Sequence, residues 1–240
     1  MLSRDNLEKF TKLQQTSVQN VVREYCQHLF LSYLYQNPGS EKLLFKGGTA
    51  LRIILKSPRF SEDLDFTGVG ITHKEIEQLF TDTLANIEKT GMTVHVEEAT
   101  KTTGGYLGSA VFEAYDMKIN VQVEVSLRSG KAFKKIRALM ASDYIPAYTL
   151  VHLPVEDIIH GKLDALADRH KPRDFYDYFF LLSGNYPAAR TKENLKKVLK
   201  LLQKENTNFQ AELKKFLPAS QAMHLRNFKK VLEQKILGYL

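Results

Sequence analysis

The chain has 240 residues, of which 43% are hydrophobic and 25% are charged, and its formal net charge is +7. This composition excludes an intrinsically disordered protein and allows one large core or two smaller ones. A lone cysteine, Cys26, excludes an internal disulfide framework and predicts a cytoplasmic protein, and the absence of an apolar run near the ~20 residues that span a bilayer predicts no membrane partner.

The N-terminal part of the sequence predicts helix, strand and helix in turn. Apolar residues recur at helical spacing over residues 3–36, and Asn37-Pro38-Gly39-Ser40 ends that helix. The short apolar run at residues 43–46 predicts a buried strand. Residues 49–56 predict a short helix that Pro58 ends.

A glycine turn and a pair of aspartates lie on either side of that short helix. Gly47, Gly48 and Thr49 offer backbone N–H groups at a helix N-terminus, which favours a bound phosphate. Asp63 and Asp65 share one face if residues 63–66 form a strand, and their mutual repulsion is relieved by a divalent cation such as Mg²⁺. This order of a phosphate-binding turn and an Asp-x-Asp pair is typical of nucleotidyltransferases.

The middle of the chain predicts a helix followed by strands. Residues 72–90 form an amphipathic pattern with a capping box at its start. Alternation over residues 93–97, 109–115 and 118–126 predicts strands, the last two as a hairpin. Because the valines at 121, 123 and 125 face the core, Glu124 is predicted on the opposite face of its strand.

From Pro154 onward the sequence predicts only helices. We therefore expect an α+β (mixed α/β) fold, with a small mixed sheet and flanking helices in a nucleotidyltransferase-like domain over 1–150 and a basic helical domain over 151–240. Residues 190–240 hold 12 Lys and Arg against 4 Asp and Glu, whereas the preceding residues hold 22 against 23. This excess suits a polyanion such as RNA; a solvated lysine-rich face is the alternative interpretation.

Two stretches of the chain resemble the nucleotidyltransferase toxins of bacterial abortive-infection systems (AbiEii/AbiGii type). They are Gly-Gly-Thr-Ala-Leu at 47–51 and Arg-Phe-Ser-Glu-Asp-Leu-Asp-Phe at 59–66. Further on, Lys162 to Arg169 is similar to the family's Lys-(six residues)-Arg motif, and residues 173–177 are similar to its Arg-Asp-x-x-Asp motif.

The resemblance implies roles for three residues. Lys162 would bind the nucleotide phosphates, Asp177 would be the essential acid of the last motif, and Ser61 would hydrogen-bond a phosphate or the turn. From their spacing alone, Asp174 and Asp177 have a second interpretation, in which they order nearby arginines.

Three further residues are candidates on chemical grounds. A third carboxylate is usual in such metal sites, and Glu124 is the candidate, with Mg²⁺ as the cofactor. In the alternative interpretation, Glu124 lies on a solvent-exposed face of the sheet and binds no metal. Glu97, Glu98 and Asp116 are its rivals. Lys46 either reaches a phosphate or caps its strand, and Arg52 either faces the same phosphate or solvent.

The sequence leads to the hypothesis of a Mg²⁺-dependent enzyme that transfers a nucleotide from an NTP to RNA. The resemblance implies a toxin that modifies a tRNA 3′ end and has a separately encoded antitoxin. Two alternatives stay open: a protein that binds nucleotide or RNA without transfer, and an aminoglycoside-type nucleotidyltransferase with a small acceptor. The basic C-terminal residues disfavour the second of these.

Overall fold

The chain divides into two compact units in a computed structural model that describes residues 2–127, 133–221 and 225–240. The first unit comprises the residues up to Lys56 and Phe60–Pro154, and the second comprises Ser57–Arg59 and Val155–Leu240. The predicted domain boundary at residue 150 stays a prediction. The division between the two compact units falls after Pro154.

One mixed sheet forms the centre of the first unit. Its strands are β1 (Leu43–Lys46), β2 (Asp63–Gly68), β3 (Thr93–Thr102), β4 (Gly105–Ala114), β5 (Met117–Leu127), β6 (Ile136–Met140) and β7 (Tyr148–His152), in the spatial order β3-β4-β5-β2-β1-β7-β6. The pairs β2–β5 and β1–β7 are parallel and the others are antiparallel. The predicted fold class is confirmed, and the sheet is wider than the few strands expected, because β6 and β7 were not predicted.

The described part of the first unit also contains the helices α1 (Arg4–Gln14), α2 (Val18–Leu34), α3 (Gly47–Ile53) and α4 (His73–Glu88). Helices α2, α3 and α4 contact the sheet, and α1 contacts α2. Residues 3–36 therefore form two helices, and the prediction of a single helix was wrong. The break has a local cause, since Gln15 adopts a left-handed conformation with φ 50° and the Ser17 hydroxyl caps α2 by accepting from the Asn20 N–H. The capping box predicted at Thr72 and Glu75 is confirmed at the start of α4.

The predicted hairpin of β4 and β5 is also confirmed, but its turn lies one residue earlier than residues 116–117, which the predicted strands leave between them. Its two-residue turn is Tyr115-Asp116, with φ values of 54° and 62°, as a type I′ turn requires. Val121, Val123 and Val125 are at most 3% exposed and face the core. The alternate residues of β5 therefore lie on the opposite, more open face, as the sequence predicted.

The second unit is helical, as predicted. Its helices are α5 (Val155–Arg169), α6 (Pro172–Ser183), α7 (Lys192–Lys204), α8 (Phe209–Leu213) and α9 (Phe228–Leu237). Aromatic rings form its core, with centroids 5.2 Å apart for Phe209 and Phe228 and 5.9 Å apart for Tyr176 and Phe228. Across the ranges that the structure describes, no helix combines the length and apolar character that crossing a membrane requires.

Candidate active site

Carboxylates from two adjacent strands lie on the open face of the sheet in the first unit. In the parallel pairing of β2 with β5, Asp65 stands opposite Glu124 and Asp63 stands opposite Gln122. Paired residues on neighbouring strands point to the same face, about 5 Å apart. Asp63, Asp65 and Glu124, predicted separately from different parts of the chain, therefore occupy one face at the middle of the sheet.

Gly47 places the glycine turn directly against Asp65. Its φ is +86°, and a Cβ built on it would lie 2.6 Å from Cγ and 2.7 Å from Cβ of Asp65. Any side chain at this position would collide with the aspartate, and the left-handed backbone is itself unfavourable for other residues. The turn predicted to bind phosphate and the strand predicted to bind metal are thus in contact.

Thr49 and Lys46 flank this turn. The Thr49 hydroxyl is buried and donates to the backbone carbonyl of Asp63, which ties α3 to the start of β2. The Lys46 ammonium donates to the Ser126 hydroxyl on β5 at 3.3 Å, so it reaches over the carboxylate-bearing face. Nucleotide contacts by Lys46, Gly47, Gly48 and Thr49 stay predictions, and in the structure the Thr49 side chain is used to hold the strand.

Gln27, on α2, fixes the chain just before the aspartates and was missed in the sequence. Its buried side-chain amide donates to the carbonyl oxygens of Ser61 and Glu62, both at 3.0 Å. The backbone of Ser61 is held in this way, whereas a contact of its hydroxyl with phosphate stays a prediction. An isolated glutamine in an amphipathic helix gives no signal of such a role.

Arg52 does not point to solvent, because its side chain is 16% exposed, so that interpretation was wrong; its contact with a phosphate stays a prediction. Its guanidinium donates to both carboxylate oxygens of the buried Glu24, at 2.6 and 3.1 Å, and to the Gln14 side chain at 3.0 Å. It also lies over the Phe60 ring, 3.9 Å from the centroid. Arg52 therefore anchors α3, which carries the glycine turn, to α1 and α2.

Two of the three rivals of Glu124, Glu97 and Asp116, are bound to other side chains. The Glu97 carboxylate accepts hydrogen bonds from Ser109 and Asn120 on the same open face. Asp116 pairs with Arg4 at 2.7 Å in the hairpin turn. Glu124 itself is exposed and accepts from the Gln122 side chain at 2.7 Å, so it is the carboxylate in register with Asp65.

The donor chemistry of this face fits a hard divalent cation, because carboxylate oxygens from adjacent strands are the ligands that Mg²⁺ prefers. As the side chains now stand, no three His, Cys, Asp or Glu residues within the described ranges are grouped closely enough to hold a metal ion. A shared ion would therefore require these carboxylates to move closer together. Metal binding by Asp63, Asp65 and Glu124 stays a prediction.

A buried charge cluster occupies the second unit. The Asp177 carboxylate is 0% exposed, accepts from Arg59 Nε and Nη2 at 2.7 and 2.9 Å, and lies 2.9 Å from the Lys162 ammonium. Two buried cations around one carboxylate leave this trio with a net positive charge.

The surroundings of Asp177 act on its pKa in opposite directions. Burial raises the pKa of this carboxyl, but Arg59 and Lys162 beside it lower the pKa further, and the net effect is below the ordinary value. Asp177 is therefore ionised and holds the Lys162 ammonium in place. This arrangement favours a positioning role for Asp177, while direct participation in the chemistry stays a prediction.

Asp174 holds the other arginine of the motif. Its buried carboxylate accepts from Arg169 Nε and Nη2 at 2.8 and 2.7 Å. The interpretation in which Asp174 orders a nearby arginine is confirmed. For Asp177 the same interpretation named the wrong arginine, because its partner Arg59 lies 118 residues away in the sequence.

Residues 29–236 match the family of nucleotidyl transferase AbiEii toxins of type IV toxin–antitoxin systems. The chain belongs to this family. It is accordingly a nucleotidyltransferase, as the glycine turn and the Asp-x-Asp pair predicted.

Two solved structures from Helicobacter pylori share the fold of this AbiEii family member. A candidate nucleotidyltransferase has a TM-score of 0.61 and 18% identity, with 93% of this chain and 95% of that chain covered. The protein JHP933 has a TM-score of 0.62 and 19% identity, with 93% of each chain covered. No curated protein shows significant sequence similarity to the chain.

Proposed function

We propose that this AbiEii family member transfers a nucleoside monophosphate from an NTP to the 3′ end of an RNA, and that a tRNA is the acceptor. The observation that supports the proposal most strongly is that Gly47 contacts Asp65, which stands beside Glu124 on one face of the sheet. A phosphate-binding turn in contact with a carboxylate pair is what nucleotidyl transfer needs, because catalysis of this reaction is mainly positioning and charge stabilisation.

The reaction forms one bond and breaks one bond at the α-phosphorus. The acceptor's 3′ oxygen attacks the α-phosphorus of the NTP, the bond to the oxygen that bridges to the β-phosphorus breaks, and pyrophosphate leaves. The attacking hydroxyl gives its proton to water in this step. Backbone N–H groups of Gly47, Gly48 and Thr49 orient the triphosphate, and the Lys46 ammonium, which lies over the same face, offsets its charge.

Mg²⁺ is the proposed cofactor, with Asp63, Asp65 and Glu124 as its ligands. When bound, the ion would lower the pKa of the attacking hydroxyl and offset charge on the phosphates. Lys162 is proposed to contact the nucleotide phosphates as well; what supports this is its buried ammonium, which Asp177 orients.

The family supports two further parts of the proposal. A toxin of a type IV toxin–antitoxin system has an antitoxin, and we propose that a separately encoded protein plays this part for the present chain. We propose the cytoplasm as the place of action, because the substrates NTP and tRNA are found there.

Incubation of the purified protein with each α-labelled NTP, Mg²⁺ and total tRNA tests the proposal. We expect label to appear in tRNA, to depend on Mg²⁺, and to be lost in Asp65→Asn, which keeps the size of the side chain but removes its charge. Thermal unfolding of Asp65→Asn checks that the variant is folded.

The same incubation separates the other two hypotheses. Nucleotide or RNA that binds without transfer of label would identify a binding protein. Label that appears only in small molecules would identify an aminoglycoside-type enzyme. Either result, obtained with every NTP, contradicts the proposed acceptor.

A further inference from the structure

A lysine-rich face covers the exposed side of α7 in the second unit. The helix buries Leu195, Val198 and Leu202 on its other side, each at most 2% exposed. At 100° per residue, Lys196, Lys197, Lys200 and Lys204 fall on the arc opposite this stripe, and Lys192 falls at the edge of that arc. Five exposed lysines make up what we call the lysine face: Lys192, Lys196, Lys197, Lys200 and Lys204.

The spacing of these lysines is unfavourable for an isolated helix. Four of them recur every four residues, and a rise of about 1.5 Å per residue sets neighbours about 6 Å apart along about 18 Å of helix. Like charges at this spacing destabilise a helix by a few tenths of a kcal/mol per pair. Glu193 is the one acidic residue in the helix sequence. A polyanion laid along the lysine face would remove this repulsion.

A cleft of about 680 Å³ opens where α7 ends. It lies between residues 205–210 and the segment that leads into α9, and Asn206, Asn208 and Asn227 are among the residues that line it. Arg226 and Lys230 are exposed at its rim. Amide groups and cations around a cleft of this size suit a nucleotide, whose base offers hydrogen bonds and whose phosphate is anionic.

The end of α7 is held firmly beside this cleft. The Lys229 ammonium donates to the carbonyl oxygens of Gln203 and Glu205, at 3.2 and 2.6 Å, which lie where the helix dipole is negative. The Glu205 carboxylate accepts from the backbone N–H of Thr207 at 2.9 Å. The cleft therefore directly continues the lysine face along the chain.

We infer that the acceptor RNA binds to the second unit, with its phosphates along the lysine face of α7 and one of its nucleotides in the cleft. The inference rests on the proposed transfer to RNA and adds the residues that hold the acceptor. Charge complementarity supports this inference, because phosphate contacts supply most of the sequence-independent affinity for nucleic acids. An acidic partner protein is the competing occupant.

Two triple variants test the lysine face at equal change in charge. Lys192, Lys196 and Lys200 are replaced by Gln in the first, and the exposed Lys9, Lys12 and Lys74 of the first unit are replaced by Gln in the control. Binding of a 5′-labelled tRNA transcript is measured without NTP at several salt concentrations. The first variant binds at least about 10-fold more weakly, with a salt slope reduced by about 2 to 3, as the loss of three phosphate contacts requires. The control stays within about 2-fold of wild type.

A double variant tests the cleft. Arg226→Gln with Lys230→Gln raises KM for tRNA while KM for the NTP is unchanged. Thermal unfolding of all variants checks that they are folded.

The inference is overturned if the two triple variants weaken tRNA binding equally, or if neither of them changes tRNA binding. If the triple variant of the lysine face loses antitoxin binding but still binds tRNA, the lysine face belongs to the protein partner. This result also overturns the inference. Wild-type protein that binds tRNA in the predicted way but transfers no nucleotide contradicts the proposed function alone, so the two failures are distinguishable.

Discussion

Gly47 is the residue on which the geometry of the site depends most directly. Its substitution by Ala introduces a Cβ in the space that Asp65 fills, and also strains a left-handed backbone by about 1–2 kcal/mol. We expect Gly47→Ala to lose nucleotide transfer almost completely.

Gly70 provides a matched control for this prediction. Its φ is +63°, and a Cβ there would meet nothing within 4 Å. Gly70→Ala therefore carries the same kind of backbone strain without a collision, and we expect it to lose about 1–2 kcal/mol of unfolding free energy with transfer retained. Equal transfer rates for the two variants would show that contact between the turn and Asp65 is not needed.

Asp177 is the residue whose loss should destabilise the second unit most. Asp177→Asn leaves Arg59 and Lys162 as buried cations without their carboxylate, which typically costs about 3–5 kcal/mol. Urea unfolding of the full chain measures this change. Asp174→Asn is the control, because its partner Arg169 has a side chain that is 43% exposed and can be hydrated instead, so a smaller loss is expected.

At the scale of single residues, the sequence indicated which types of side chain form the site but not all of their partners. Asp63 and Asp65 could be assigned to one face, and Glu124 to the side opposite its neighbouring valines, because alternation along a strand is a local rule. The pairing of β2 with β5, which brings the three together, is not local. The contacts of Gln27 and Arg59 could not be predicted, because their partners lie 34 and 118 residues away. Nothing local in a helix or a turn specifies such long-range hydrogen bonds.

His28 links α2 to β7 and makes this contact sensitive to pH. Its Nδ1 lies 2.8 Å from the Tyr148 hydroxyl, and burial, opposed by Glu24, lowers the pKa of His28 from 6.5 to about 4. The unfolded chain therefore binds a proton at this residue at a pH where the folded chain does not. Stability is full above pH 6.5 and falls as the pH drops toward 4, by roughly 3 kcal/mol at most.

The difference between wild type and His28→Gln isolates this contribution. Urea unfolding at several pH values should show a shallower loss of stability for the variant between pH 6.5 and 4. His152, whose pKa burial also lowers, contributes equally to both proteins and cancels in the difference. Parallel curves for the two proteins would contradict the role given to His28.

At the scale of elements, helices with strong periodicity, hairpins with local turns and the apolar run of β1 were predictable, and β6 and β7 were not. Polar residues interrupt the apolar pattern of Ile136–Met140 and Tyr148–His152, and their place in the sheet depends on β1, about 100 residues earlier. The break after Gln14 was missed because the apolar spacing continues through it. The capping residue Ser17 was the signal available there.

At the scale of the whole molecule, opposite charges are separated along the chain. The carboxylates of the candidate site lie on the sheet of the first unit, and the excess of lysine lies in the helices of the second unit. Composition showed this asymmetry from the sequence alone, because counting charges needs no fold. The cleft beside α7 was not predictable, because its two walls come from segments about 20 residues apart.

Two glutamates on the open face of the sheet provide the most direct test that Asp65 and Glu124 act together. Glu124→Gln removes the carboxylate in register with Asp65, whereas Glu97→Gln makes the same chemical change at a residue that Ser109 and Asn120 hold. The rate of label transfer from NTP to tRNA should fall at least about 100-fold in Glu124→Gln and stay within about 3-fold of wild type in Glu97→Gln. A Glu124→Gln protein that is folded and transfers nucleotide at the wild-type rate would contradict the proposed site.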